Sequence, residues 1–69
     1  MADHYINEFY LDNEKDIKVS IYKNEKGIYY VIESLNHHTN NLIINLANVC
    51  CLKTKENSNG TKYIKEYIP

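Results

Sequence analysis

Two short runs of alternating apolar and polar residues, joined by a polar segment, constrain the fold of this chain more than any other feature. The runs span residues 17–22 and 28–33, and their period of two residues is typical of β-strands. The segment between them ends at Gly27, a residue that tolerates the positive φ of a tight turn. The pattern predicts an antiparallel hairpin with one apolar face. The apolar side chains of its first strand are Ile17, Val19 and Ile21.

Two further strands are predicted near the ends of the chain. In residues 5–11 a regular strand would place Tyr5, Asn7, Phe9 and Leu11 on one face and Ile6, Glu8 and Tyr10 on the other. In residues 62–68 the faces would be Tyr63, Lys65 and Tyr67 against Ile64, Glu66 and Ile68. Similar polar loops, 13–16 and 24–27, flank the strand between them, as expected in a meander.

Residues 42–55 are compatible with either a helix or a strand. The turn formers that follow, which include Asn59 and Gly60, favour a strand that pairs back through a hairpin. We therefore expect one mainly β domain over residues 1–69, a small antiparallel meander or barrel of about five strands. The alternative is an α+β fold, with a three- to four-stranded antiparallel sheet and one helix at 41–52 or 3–11.

Size and composition limit the classes of function. A chain of 69 residues buries only about 60% of its unfolded surface, so its core is marginal and self-association into a homo-oligomer is expected. The formal net charge is −1, and the chain has no arginine, which argues against electrostatic attraction to nucleic acid. Asn, Ile, Lys and Tyr make up 34 of the 69 residues, a bias that fits an A/T-rich genome such as that of a low-GC bacterium or its phage.

The N-terminal residues 1–4 lack a basic segment followed by an apolar run, so no secretory signal is expected. The two adjacent cysteines, Cys50 and Cys51, are poorly placed for a mutual disulfide. Residues 42–52 form the longest mostly apolar stretch, about half the ~20 residues of a membrane-spanning helix. The sequence predicts a cytoplasmic protein without a membrane span and with reduced thiols.

His37 and His38, together with Cys50 and Cys51, have the side chains that zinc prefers. Adjacent ligands on a strand point to opposite faces, however, and zinc ligands are usually two to four residues apart. The expected structure instead has two loop histidines and cysteines divided between a core position and the opposite face. No glycine-rich elbow or phosphate-binding loop is present, so we expect no metal site, no cofactor and no enzymatic activity.

The tyrosines are the best candidates for a binding surface. The chain has seven of them, and several fall on the second face of their predicted strands, which must be covered either by the protein itself or by a partner. Tyrosine contributes a large, stiff and amphipathic contact area at interfaces. The candidate partner-binding residues are Tyr22, Tyr29, Val31, Tyr63 and Tyr67.

The run Val19-Ser20-Ile21-Tyr22, the pair Gly27-Ile28 and the run Ile32-Glu33-Ser34 resemble the start of the bacterial Sm-like RNA-binding proteins. The resemblance implies a five-stranded barrel after an N-terminal helix, ring assembly and binding of single-stranded nucleic acid. It implies a helix, not a strand, over residues 3–11.

These observations lead to two functional hypotheses. The first is a small non-enzymatic binding protein that acts by protein–protein contact, such as a viral or phage inhibitor or accessory factor. The second is an Sm-like small barrel that binds single-stranded nucleic acid.

Overall fold

A computed structural model describes residues 2–11 and 14–69, which form one open five-stranded antiparallel sheet and one α-helix. The strands are β1 (His4–Leu11), β2 (Glu14–Asn24), β3 (Gly27–Ser34), β4 (Lys55–Glu56) and β5 (Lys62–Tyr67). A 3-10 turn (His37–Thr39) and α1 (Asn40–Cys50) lie between β3 and β4. The order across the sheet is β1-β2-β3-β5-β4. The predicted mainly β fold of about five antiparallel strands is confirmed.

The predicted hairpin is formed by β2 and β3. Their register runs without interruption from the pair Ile17 and Ser34 to the pair Asn24 and Gly27. Gly27 has a φ of +129°, a conformation that side chains with a Cβ rarely adopt. The Asn24 side chain accepts a hydrogen bond of 2.9 Å from the backbone N–H of Lys26, which closes the turn locally. The hairpin prediction is confirmed.

The loop predicted before this hairpin is only partly present as a loop. Strand β2 already begins at Glu14, so residues 14–16 are strand and the predicted loop is too long at this end. Its other predicted residue, Asn13, lies outside the described residues, as do Met1 and Asp12.

The strand predicted over residues 42–55 is wrong, because most of this segment is α1. The helix buries Ile43 and Ala47, which are four residues apart and therefore lie on one helical face. They are 0% and 1% exposed. Of the predicted segment only Lys55 pairs in the sheet, and together with the next residue, Glu56, it forms β4. Among the described residues, neither helix has the length and apolar content needed to cross a membrane.

The helix covers one face of the sheet, which we call the isoleucine face. Its side chains come from β2, β3 and β5, and they include Ile17, Val19, Ile21, Ile32 and Ile64. Ile17 and Ile64 form the buried core with Ile43 and Ala47 of α1. Ile32, Leu46 and Leu52 pack against this core. The core therefore lies between α1 and the β5 side of the sheet.

Asn40, at the start of α1, connects the helix to the β4–β5 turn. Its side-chain oxygen accepts the backbone N–H of Lys62 at 2.9 Å, and its side-chain nitrogen donates to the carbonyl of Gly60 at 3.0 Å. The hydroxyl of Ser34, which is 1% exposed, donates to the Asn40 oxygen at 2.5 Å. These bonds fix the helix relative to the sheet and satisfy polar groups that burial would otherwise leave without partners.

The helix ends in a left-handed residue. Cys51 has a φ of +59°, and the next residue, Leu52, donates its backbone N–H to the carbonyl of Ala47 at 2.8 Å. This six-to-one bond is that of a Schellman motif, in which glycine is the usual left-handed residue. The motif turns Leu52 back onto the core.

The two faces predicted for the first strand are wrong, because β1 contains a bulge. Tyr5 pairs with Tyr22, and Asn7 pairs with Ile21, so two steps along β1 correspond to one step along β2. A bulge of this kind shifts the alternation of side chains by one residue. Tyr5 therefore lies on the same face as Glu8 and Tyr10, and not with Asn7 and Phe9.

The structure also lacks the architecture that the Sm-like resemblance implies. Residues 4–11 are a strand and not a helix. The sheet is open, with β1 and β4 at its two edges, and is not a closed barrel.

Candidate protein-binding surface

Six of the seven tyrosines lie on the sheet face opposite α1. The strand registers place them there together with one valine, and we call this set the tyrosine surface. Its members are Tyr5, Tyr10, Tyr22, Tyr29, Val31, Tyr63 and Tyr67. Within residues 2–11 and 14–69, the only α-helix packs on the other face. The tyrosine surface is thus the side of the sheet without a second layer in the described part of the chain.

Four of these tyrosines form a continuous row across four strands. Tyr5, Tyr22, Tyr29 and Tyr67 pair in register from β1 to β5. Tyr22 and Tyr29 are stacked, with ring centroids 5.2 Å apart and planes 16° apart. Tyr5 meets Tyr22 edge to face at 6.0 Å, and Tyr67 meets Tyr29 at 5.2 Å. Aromatic pairs at these distances stabilise a sheet by about 0.5–1.5 kcal/mol each beyond area burial, so the row also has a structural role.

Tyr29, at the centre of the row, is buried although no helix or strand in the described part of the chain lies over it. Tyr29 is 4% exposed, because neighbouring side chains cover its ring, including that of Lys65, whose ammonium lies 4.6 Å from the ring centroid. The members nearer the periphery are open, and Tyr5, Tyr10 and Tyr67 are 55%, 50% and 40% exposed. The accessible rings therefore surround a buried aromatic centre.

A polar network at the hairpin end joins Asp3, near the N-terminus, to the tyrosine row. The Tyr29 hydroxyl donates a short hydrogen bond to Asp3. Asn24 donates to the other Asp3 oxygen at 3.2 Å and to the Tyr67 hydroxyl at 2.8 Å. The bond to Asp3 raises the pKa of Tyr29 to about 12, and the bond from Tyr29 lowers the pKa of Asp3 below its usual value. Both shifts favour the state in which a neutral phenol donates to a carboxylate.

This face has no excess of positive charge. The ammonium of Lys18 lies 4.0 Å from a Glu8 carboxylate oxygen and 3.8 Å from one of Glu33. Lys65 lies over an aromatic ring, as described above. Two lysines are thus matched by two glutamates, and the Asp3 carboxylate bonded to Tyr29 adds a negative charge. A surface of this kind exerts little long-range attraction on a polyanion.

All five residues predicted to bind a partner, Tyr22, Tyr29, Val31, Tyr63 and Tyr67, lie on the tyrosine surface. That they bind a partner remains a prediction. Sequence reasoning missed Tyr5 and Tyr10, because they are five positions apart and a regular strand would place them on opposite faces. The seven-tyrosine composition was the only signal that pointed toward them.

The histidines and cysteines do not assemble a site in the described part of the chain. No three His, Cys, Asp or Glu side chains converge on a common point there. Both cysteines are exposed, so the predicted core position for one of them is wrong. The cause is the helix: Cys50 is its last residue and Cys51 follows in the left-handed conformation. His37 bonds the backbone carbonyl of Asn59 through Nε2 at 2.8 Å.

Two open depressions border the β1–β2 side of the sheet. One, of about 460 Å³, is lined by Ala2, His4 and the β2–β3 turn. The other, of about 500 Å³, is lined by Tyr10, Lys15 and Leu35. Among the described residues, no cysteine, serine or threonine lines either depression.

Comparison with protein-family models, with curated proteins and with solved structures gave no match.

Proposed function

We propose that this protein is a small non-enzymatic binding protein that recognises a folded protein partner through the tyrosine surface. The observation that carries the proposal is the collection of six of seven tyrosines on the one sheet face that α1 does not cover. Interfaces are enriched in tyrosine because it combines an apolar ring with a hydroxyl that bonds either a partner or water.

The exposed rings are a substantial part of what a protein interface needs. Tyr5, Tyr10 and Tyr67 are 55%, 50% and 40% exposed, which amounts to roughly 300 Å² for side chains of about 150–250 Å² each. A standard interface covers about 800 Å² per partner. The half-buried members Tyr22, Val31 and Tyr63 would contribute to the remainder as the contact extends across the sheet.

Single-stranded nucleic acid fits this surface less well than a protein. Bases stack on free aromatic faces, whereas Tyr22 and Tyr29 stack on each other. The lysines that would contact phosphates are already near Glu8, Glu33 and the Tyr29 ring. We therefore expect binding that changes little with salt, in contrast to the steep salt dependence of phosphate contacts.

The composition suggests the source of the protein. The bias toward Asn, Ile, Lys and Tyr suits an inhibitor or accessory protein of a virus or phage with an A/T-rich genome. We place its action in the cytoplasm of the host cell, where an exposed pair of cysteines stays reduced. Steric occlusion of the partner is the mechanism that a predominantly aromatic face supports.

The test begins with cross-linking pull-down from the host lysate, followed by binding measurements with the purified partner. Tyr67→Ala should weaken binding at least tenfold, the scale of an interface hot spot at about 1.4 kcal/mol per factor of ten. Leu42→Ala is the matched control, since Leu42 is 46% exposed but belongs to α1 on the other layer. Equal effects of the two substitutions would contradict the proposal. So would capture of RNA alone in a strongly salt-dependent manner.

A further inference from the structure

The two edges of the sheet differ in how well they are protected. The edge on the β4 side consists of β4, whose two residues Lys55 and Glu56 are both charged, and of the part of β5 that β4 does not cover, which includes Lys65 and Glu66. Short and charged edge strands resist pairing with other chains. The β1 edge has eight residues, all of them exposed. Its unpaired backbone groups therefore offer a template for one more strand.

The bulge limits the part of β1 that can accept a partner. It lies at Ile6, between the pairs formed by Tyr5 and Asn7, and bulges disrupt edge pairing locally. From Asn7 to Tyr10 the register with β2 is consecutive. The register shifts again between Tyr10 and Leu11. The straight edge segment is thus residues 7–10, in which Glu8 is the one charged residue.

Large apolar side chains project from both faces of this segment. Phe9 lies on the isoleucine face beside Val19 and is 47% exposed. Tyr10 lies on the tyrosine surface and is 50% exposed, and Leu11 at the end of the strand is 38% exposed. An added strand would cover these side chains as well as the backbone.

We propose that residues 8–10 pair antiparallel with the same segment of a second copy of this chain, around a two-fold axis at Phe9. A two-fold axis that makes two strands antiparallel in one sheet is perpendicular to the sheet, so it keeps both tyrosine surfaces on the same side. Residues directly opposed in an antiparallel pair project from the same side of the sheet, whereas neighbours within one strand alternate. The axis must therefore pass through a residue and not between two residues.

Charge and strand geometry select the position of the axis. An axis at Glu8 would oppose two carboxylates, which is destabilising. An axis at Asn7 would pair Glu8 with Ile6 in the bulge, and an axis at Tyr10 would pair Phe9 with Leu11, beyond the second register shift. The axis at Phe9 places the two phenylalanines side by side and Tyr10 opposite Glu8 of the second copy. This register stays within the straight segment and opposes no like charges.

The resulting assembly is a ten-stranded sheet with two α-helices on one side and two tyrosine surfaces on the other. It leaves the tyrosine surface open except at Tyr10, because its central residue, Phe9, lies on the isoleucine face. Its strand pairing of three residues per copy is smaller than a standard interface of about 800 Å² per partner, so we expect a weak, reversible dimer whose population depends on concentration.

Cysteine cross-linking tests the register. In a background of Cys50→Ser and Cys51→Ser, Phe9→Cys should form an intermolecular disulfide in a glutathione redox buffer. Directly opposed residues in an antiparallel pair have Cα atoms about 4.5–5.5 Å apart, within the range of disulfides. Asn7→Cys in the same background is the control, because the two Asn7 residues would be displaced by about 14 Å along the strands. Cross-linking through residue 7 in preference to residue 9 would overturn the register.

The mass in solution tests the dimer itself on the unmodified chain. Sedimentation equilibrium should show the mass rising with concentration from 8.1 kDa toward twice that value. Phe9→Lys should shift this transition to at least tenfold higher concentration, because it opposes two ammonium groups, whereas Val49→Lys should leave it unchanged. Val49 is 82% exposed on α1. A chain that remains monomeric to millimolar concentration, with its fold intact by circular dichroism, would overturn the proposal.

Discussion

Ile64 is the position at which the packing of α1 on the sheet can be measured most directly. Its side chain is 0% exposed and contacts the core residues Ile43 and Ala47 across the interface between helix and sheet. Ile64→Val removes one methylene group and introduces no polar atom. The tyrosine surface is the face that α1 leaves uncovered, so the functional proposal requires α1 to pack on the opposite face. This substitution tests that packing.

The expected loss follows from burial. Removing a fully buried methylene costs about 0.8 kcal/mol in transfer free energy, and the residual cavity brings the total to about 1–1.5 kcal/mol. A chain of 69 residues is expected to have a free energy of unfolding of about 3.5–10 kcal/mol. The valine variant therefore remains folded, and its melting temperature should fall by about 4–12 °C. Ile64→Ala would lose about 2–5 kcal/mol and leave much of the chain unfolded.

Urea unfolding followed by far-ultraviolet circular dichroism is the assay, and the control is Val49→Ala. Val49 is on α1, the helix that covers Ile64, but is 82% exposed, so its substitution should change the free energy of unfolding by less than about 0.5 kcal/mol. An effect of Ile64→Val no larger than that of Val49→Ala would refute the reasoning, since Ile64 would then not be enclosed between α1 and β5.

Three further predictions test individual contacts. Because the folded pKa of Tyr29 is about 12 and the unfolded value is about 10, its hydrogen bond should stabilise the fold fully below pH 10 and lose this contribution as the pH rises toward 12. Urea midpoints of Tyr29→Phe should therefore be less dependent on pH in that range than those of the wild type. Asn40→Ala should lower the free energy of unfolding by about 2–3 kcal/mol through loss of buried hydrogen bonds, whereas its exposed neighbour Asn41 should tolerate alanine. Cys51→Gly should raise the melting temperature by a few degrees, since it relieves the left-handed strain at φ +59°, and Cys50→Gly in the last helical turn should lower it.

Local sequence signals were sufficient for the hairpin and for both glycine turns. The alternation in β2, β3 and β5 is regular, and Gly27 and Gly60 both adopt positive φ. These features depend on neighbouring residues alone, so one sequence contains the information. The same alternation correctly assigned Ile64 to the face opposite Tyr63 and Tyr67.

The helix could not be assigned from sequence because the choice depends on distant residues. Residues 42–55 carry an apolar pattern that suits either type of element. What decides it is the layer formed by Ile17 and Ile64, which needs a cover that presents Ile43 and Ala47 together. Tertiary packing of this kind routinely outweighs local preference.

The bulge in β1 was the other feature that could not be predicted from the sequence. A single extra residue in one strand is recognised from the register with its neighbour, and nothing in residues 4–11 marks Ile6 as that residue. Its effect on the candidate site is large, because it moves Tyr5 onto the tyrosine surface. The prediction thus identified the side of the sheet but omitted the contribution of its edge strand.

The position of the Lys65 side chain over the Tyr29 ring has a consequence for how a partner would bind this protein. Surface side chains change rotamer within picoseconds to nanoseconds, and rotating Lys65 away from the ring breaks no hydrogen bond of the sheet. A partner that supplies its own contacts to the ring could therefore replace the lysine while the backbone stays in place. The area available for recognition is consequently larger than the area that the free protein exposes. Displacing Lys65 would give a partner access to the stacked rings of Tyr22 and Tyr29.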